Sequence, residues 1–163
     1  MALSIREQIM QNVETTLKTI KTANGYNNTL ELVTRFKQEA LSFAKVPVVL
    51  IQQGPEMAEP IPNHAVTRNL AVRLRIIHRH NPTEDNQSSD QVLNSIQQDI
   101  HKALFVDHTR GGLAIGMNPA PLEIAAQDGE GMGEVDANFE HIGKTLEYMV
   151  QYRHHWQDES VAA

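Results

Sequence analysis

From Val66 to His80 the chain alternates with a period of two. Leu70, Val72, Leu74 and Ile76 are apolar, while Arg73, Arg75 and Arg79 stand at the intervening positions. Successive side chains of an extended strand point to opposite faces, so this run reads as a long amphipathic strand ending near His80. At ~3.3 Å per residue it spans roughly 45 Å, enough for one end to project beyond its sheet. A strand of this kind needs partner strands and an apolar layer over its buried face.

Two helical stripes offer that layer. Ser4 and Glu7 have capping-box spacing, and Ile5, Ile9, Val13, Leu17 and Ile20 then recur every three or four residues. Ser88 and Gln91 repeat the box ahead of Val92, Ile96, Ile100, Ala103 and Leu104. Between them, "TANGYNNTL" turns a corner: Gly25 suits the left-handed position past a helix end, and Tyr26 is expected to pack at the sheet edge with its hydroxyl wet.

Other segments read as strands. "TLELVTRF" alternates, with Leu30, Leu32 and Phe36 on one side and Glu31 and Arg35 on the other. "VPVVLIQQ" is a continuous apolar run, the pattern of a strand covered on both faces. Short strands are expected around 113–117 and 122–126, and "KTLEYMVQYRHHW" places Leu146, Tyr148, Val150 and Tyr152 on one face. The proline-bearing stretch 54–64 and the glycine-rich acidic stretch 127–142 read as loops. The order predicts an α+β fold: a mixed, mainly antiparallel sheet with two amphipathic helices packed on one face. A single domain is expected over 1–156, with 157–163 as a flexible tail.

Composition narrows the chemistry. The 163 residues contain no cysteine, which excludes disulfides, thiolate metal sites and cysteine nucleophiles. A formal net charge of −6 disfavours a nucleic-acid-binding module, whose affinity rests on clustered Lys and Arg. No apolar run is long enough to span a bilayer as a helix, and "MALSIREQIMQN" lacks a signal-peptide pattern. Cytoplasmic folding is therefore expected.

His78 and His80 share a strand face at chelating spacing, the one arrangement among the histidines that suggests a metal-dependent enzyme. His154 and His155 are adjacent and point opposite ways, and a helix end is expected between His101 and His108. Without a carboxylate–histidine motif, exposed or strand-end histidines are the expectation, and neither metal nor cofactor. "RGGLAIG" and "DGEGMG" lack the Lys-Ser/Thr of a phosphate loop and read as turns. No GxSxG marks a nucleophile. Arg73, Arg75 and Arg79 admit two readings: a solvated face paired across strands, with Glu147 as partner, or a subunit interface receiving an acidic loop containing Glu130, Glu134 and Asp136.

The run Leu17-x-x-Ile20-x-x-Ala23-Asn24-Gly25-Tyr26, followed by Thr29 and Val33, resembles the opening of the phage tail terminator (tail completion) proteins of long-tailed bacteriophages. "VPVVLIQQGPE", "TRNLAVRLRIIH", the second helix and "LEYMVQYR" follow in the order that family has. The resemblance spans nearly the whole chain as a pattern of elements, one that other neck and tail-tube adaptors share. It implies a non-enzymatic virion protein at the neck, assembled in the host cytoplasm as a homo-oligomer, a hexameric ring. One ring face would cap the tail tube protein and end polymerisation, and the other would meet the head–tail connector or stopper protein. Genomic DNA would pass through the lumen without specific binding, and the loops at 54–64 and 127–142 would make the contacts.

Overall fold

The first helix, α1 (Ile5–Leu17), starts where Ser4 accepts the backbone N–H of Glu7 at 3.3 Å. Glu7 does not complete the box. Its carboxylate takes a bidentate pair from Arg35, at 2.5 and 3.2 Å, which holds Glu7 below the usual carboxylate range. The computed structural model describes residues 2–42, 44–81, 86–119 and 140–162.

A six-stranded sheet is built around three long strands, β2 (Val48–Ile61), β3 (Ala65–His80) and β5 (Glu140–His155). They run antiparallel as β2-β3-β5. The short β1 (Leu32–Thr34) lies parallel to β2 at one edge, β4 (Gly116–Pro119) pairs with β5 at the other, and β6 (Asp158–Ala162) also pairs with β5. The second long helix, α3 (Ser89–Phe105), has both halves of its capping box: Ser88 accepts from the Gln91 backbone, and Gln91 accepts from the Ser88 N–H.

Both long helices lie on one face of the sheet. Ile9, Val13 and Leu17 of α1 and Ile96, Ile100 and Leu104 of α3 share one core with Leu70, Val72, Leu74 and Ile76 of β3 and Leu146, Tyr148 and Val150 of β5. Burying each such side chain stabilises the fold by roughly 1.5–3 kcal/mol. The opposite face is covered only at one end, where Ala40 of the short helix α2 (Lys37–Ala40) meets Val48, Leu50 and Ile77. The fold is α+β, with the helices placed as the stripes predict.

Several local expectations are corrected. Residues 54–61 are not a loop, because β2 continues through them to a turn at 62–64. Pro55 and Pro60 are tolerated because β1 covers only Val48–Leu50, leaving the rest of β2 without a described neighbour on that side. The register slips between Gln53 and Glu56, and Gly54 sits there because a Cβ would lie 2.9 Å from the Ala71 Cβ. The long strand does not project, since every residue of β3 is paired with β5.

The expected tail is likewise a strand. Trp156 anchors the turn before β6, donating its indole N–H to the Ala65 carbonyl at 2.8 Å and meeting the His64 ring edge-on. Around Val33 the strand is only three residues long, and Phe36 is 69% exposed rather than inward. The strand near 113–117 lies slightly later, as β4. Residues 140–142 belong to β5; the strand expected at 122–126 and the rest of the acidic loop lie outside the described residues.

The corner differs in what it serves. α1 ends at Leu17, and Gly25, at φ +83°, caps a separate single turn of 3₁₀ helix, Thr22–Asn24. Tyr26 packs toward α3 instead of the sheet edge, with the Lys102 ammonium 5.0 Å from its ring centroid.

Candidate subunit interface

The alternation that opens β3 puts Thr67, Asn69, Ala71, Arg73, Arg75 and Arg79 on the sheet face away from α1 and α3. Their cross-strand partners on β5 are Arg153, Gln151, Met149, Glu147, Thr145 and His141. Beyond the small patch under α2, no described helix covers this face.

Its side chains form ladders between neighbouring strands. Arg73 Nε donates to Glu147 Oε2 at 2.6 Å, the pairing expected from the sequence. Gln151 Nε2 donates to Asn69 Oδ1 at 3.2 Å, and Arg153 Nε to Thr67 Oγ1 at 3.2 Å. With the Arg73 side chain 43% exposed, the ion pair contributes at most about 1 kcal/mol. Arg75 is different. Leu50 and Thr145 flank it in register, and neither offers a carboxylate. Arg79 is exposed at the far end, in register with His141. Both readings of the arginines therefore have residues to support them: Arg73 is paired within the fold, and Arg75 has no acidic side chain opposite. Glu130, Glu134 and Asp136 lie outside the described residues.

On the helix-covered face, a polar network that spacing does not reveal closes the other end of the sheet. Glu56, on β2 just past the bulge, accepts from the Tyr152 hydroxyl at 2.5 Å and from Arg6 and Arg68, each at 3.2 Å. Arg68 Nε donates to His154 Nε2 at 2.9 Å. That contact requires an unprotonated Nε2, so His154 is the neutral tautomer with its proton on Nδ1, directed at the His155 carbonyl. Glu159 of β6 reaches Arg68 at 3.4 Å. Burial, followed by the hydrogen bond to Glu56, pushes the Tyr152 phenol up to about 12. The network ties β2, β3, β5, β6 and α1 together, and each charge has an opposite charge beside it. That is the chemistry of a structural tie.

Two other buried polar residues have the same character. Asp99, 1% exposed on α3, accepts from the backbone and side-chain amides of both Asn27 and Asn28. Arg110, 1% exposed at φ +54°, donates to the Leu104 carbonyl in the last turn of α3 and to the Asp107 carbonyl just past it. It also reaches Asn12 and Thr16 of α1, and burial pushes its guanidinium below its ordinary value. Capping carbonyls and joining helices accounts for it.

His78 and His80 share a strand face as expected, with His80 Nε2 2.9 Å from the Gln87 carbonyl. Among the described residues no three of His, Asp and Glu come together as a metal site requires. His101 lies on α3 and His108 beyond its end; His154 is buried and His155 exposed. A groove of about 500 Å³ between α1 and β1 has Leu30 and Val33 in its lining and mixed charge at its rim, from Glu14, Lys18, Lys21 and Glu31. No described helix is long and apolar enough to cross a membrane. No protein-family model matches the chain, and comparison with curated proteins finds no match.

Proposed function

We propose that the protein is a non-enzymatic subunit of a ring in the neck of a long-tailed bacteriophage, resembling the tail terminators. In this role it caps the tail tube and joins it to the head connector. The observation that carries the reading is the half-covered sheet. One face is sealed by α1 and α3, while the other carries polar and small side chains together with Met57 and Met149 over 14 to 16 residues of each long strand, with α2 alone among the described helices at one end.

Antiparallel sheets tolerate water on one side, so such a face is stable in a free subunit and ready for a neighbour in an assembly. The described outer edge of β2 beyond Leu50 gives a second element at which copies can meet. Its bulge and its prolines at 55 and 60 keep it from pairing indiscriminately. The acidic net charge suits a lumen past which DNA slides without sticking.

In this mechanism the ring's geometry does the work. A ring whose one face matches the last tube ring leaves no further site for tube protein to add. Gel filtration with light scattering tests the reading: a hexamer is expected at accessible concentration, or entry into rings on mixing with tail tube protein. A strict monomer that ignores tube protein under all conditions overturns it. Electron microscopy of virions then locates the ring, between tube and connector for a terminator and elsewhere along the tail for another adaptor.

A further inference from the structure

Charge in this chain is divided between two places. The stretch 120–139 contains Glu123, Asp128, Glu130, Glu134 and Asp136 and neither Lys nor Arg, so it accounts for nearly all of the formal net charge of −6. The rest of the sequence is close to balanced. Within that remainder the strands of the open sheet face carry more arginines than carboxylates: Arg73, Arg75, Arg79 and Arg153 stand on it, against Glu147 of β5, Glu59 of β2 and Asp158 of β6, while Glu39 of α2 lies at the covered end beside Thr34. Glu147 is already engaged by Arg73.

We infer that the open arginine face docks the acidic 120–139 stretch of a second copy of this chain. The inference rests on the ring reading and names the contact that would build it. Two observations support it. First, the face and the stretch are complementary in charge, and Arg75 has Leu50 and Thr145 beside it in register where a carboxylate would otherwise sit. Second, β4 ends at Pro119, level with Tyr148 on β5, and β5 begins at Glu140. That interval is eight residues of β5, roughly 27 Å of strand. A stretch of twenty residues reaches up to about 70 Å when extended, so it has ample length to extend to a neighbour.

A contact of this kind is heterologous: face of one copy, acidic stretch of the next. Heterologous contacts repeat head to tail and close into rings when the rotation allows. Attraction between charges at a surface weakens beyond the ~8–10 Å screening length of physiological salt, so the association should be salt-sensitive.

The test uses sedimentation velocity of the full-length protein over a range of concentrations and salt. Wild type should self-associate, more weakly as salt rises. A chain carrying Arg75→Glu and Arg153→Glu should lose association by tenfold or more, as should a chain carrying Glu130→Lys, Glu134→Lys and Asp136→Lys. Circular dichroism checks that both variants are folded. The decisive sample is an equimolar mixture of the two, in which each reversed face meets a reversed stretch and each native face meets a native one. Association restored in the mixture supports the inference. If wild type forms rings but neither charge set alters them, or if both variants weaken association and the mixture does not restore it, the docking contact is wrong while the ring reading stands. If wild type is monomeric throughout and ignores tube protein, both fall together.

Discussion

Asp99 and Asn28 meet as a double contact. One oxygen of the Asp99 carboxylate accepts both the Asn28 backbone N–H and its side-chain amide, each at 2.8 Å, while the other oxygen takes the same two groups from Asn27. Lys102, one turn further along α3, donates to the Gly25 carbonyl at 2.9 Å. The corner after α1 is therefore fastened to α3 by a buried carboxylate, and the chain enters β1 along a fixed path.

Replacing that carboxylate should be costly. Asp99→Ala leaves four donors without their shared acceptor, and losing hydrogen bonds to a buried charge should destabilise the fold by about 3 kcal/mol. Asp99→Asn keeps the volume but turns an amide toward the same donors, so it should recover only part of the loss. Urea unfolding measures both. An Asp99→Ala midpoint equal to wild type would show that the corner is held by packing instead.

The two informative glycines should fail differently. At Gly25 a Cβ would have nothing within 4 Å of it, so a substitution meets only the strain of φ +83°. Gly25→Ala should cost about 1–2 kcal/mol, and Gly25→Val more, with no loss of a chemical activity. At Gly54 the backbone is ordinary but an added Cβ would lie 2.9 Å from the Ala71 Cβ and 3.0 Å from its carbonyl oxygen. Gly54→Ala should cost about 1–3 kcal/mol. Adding Ala71→Gly should relieve the Gly54 variant in part and leave the Gly25 variant unchanged. Thermal melts of the single and double variants separate the two mechanisms.

Tyr152 gives a signature in alkaline solution. Its phenol titrates near 10 in an unfolded chain and is pushed up to about 12 in the folded one by burial and by Glu56. Between these values the folded state holds a proton that the unfolded state has released, so stability falls as pH rises. The slope approaches about 1.4 kcal/mol per pH unit in that window and vanishes below it. Tyr152→Phe should be less stable than wild type near neutrality, because Glu56 loses a donor, and should lack this component of the alkaline loss. Chemical denaturation across the window compares the slopes; identical slopes would place the Tyr152 proton outside the folding equilibrium.

What could be read from sequence follows from periodicity. The stripes of α1 and α3 and the alternation of β3 and β5 each repeat over many residues, and together they specify an α+β sheet with both helices on one face. The Arg73–Glu147 pair is legible too, because a face assignment on two strands leaves few partners. The misses fall where local composition competes with pairing. Pro55, Pro60 and Gly54 look like a loop, yet β3 supplies a ladder of partners, and a strand whose outer edge has no described partner there can carry prolines. Residues 158–162 have no pattern of their own and become a strand because Trp156 fixes their turn. Glu56, Asp99 and Arg110 are invisible as a class. Each sits among ordinary charged residues in sequence, and the fold brings up partners from far along the chain: Arg6 and Tyr152 for Glu56, Asn27 and Asn28 for Asp99, and Asn12 and Thr16 for Arg110 beside its near neighbours Leu104 and Asp107.

Arg110 tests that last point most directly. The residue is 1% exposed, and burial works against its charge while the nearby Asp107 carboxylate favours it. It is held by the carbonyls of Leu104 and Asp107, with Asn12 and Thr16 of α1 at 3.4 and 3.3 Å. The carbonyl end of a helix carries partial negative charge, and a cation placed there is stabilised, more so when partly buried. Arg110→Met keeps the length and removes the donors, so the carbonyls of Leu104 and Asp107 lose their buried partner and the tie to α1 breaks. The expected loss is about 2–4 kcal/mol. Arg110→Gly would ease the φ of +54° while also losing the cap. If strain dominated, Arg110→Gly should be the more stable of the two by a clear margin; if capping dominates, the two should fall together. Hydrogen exchange adds the location: faster exchange in the last turn of α3 and the facing turns of α1, with β3 and β5 still protected, is the pattern expected of a lost helix tie. Uniform acceleration across the sheet would mean that Arg110 supports the whole core.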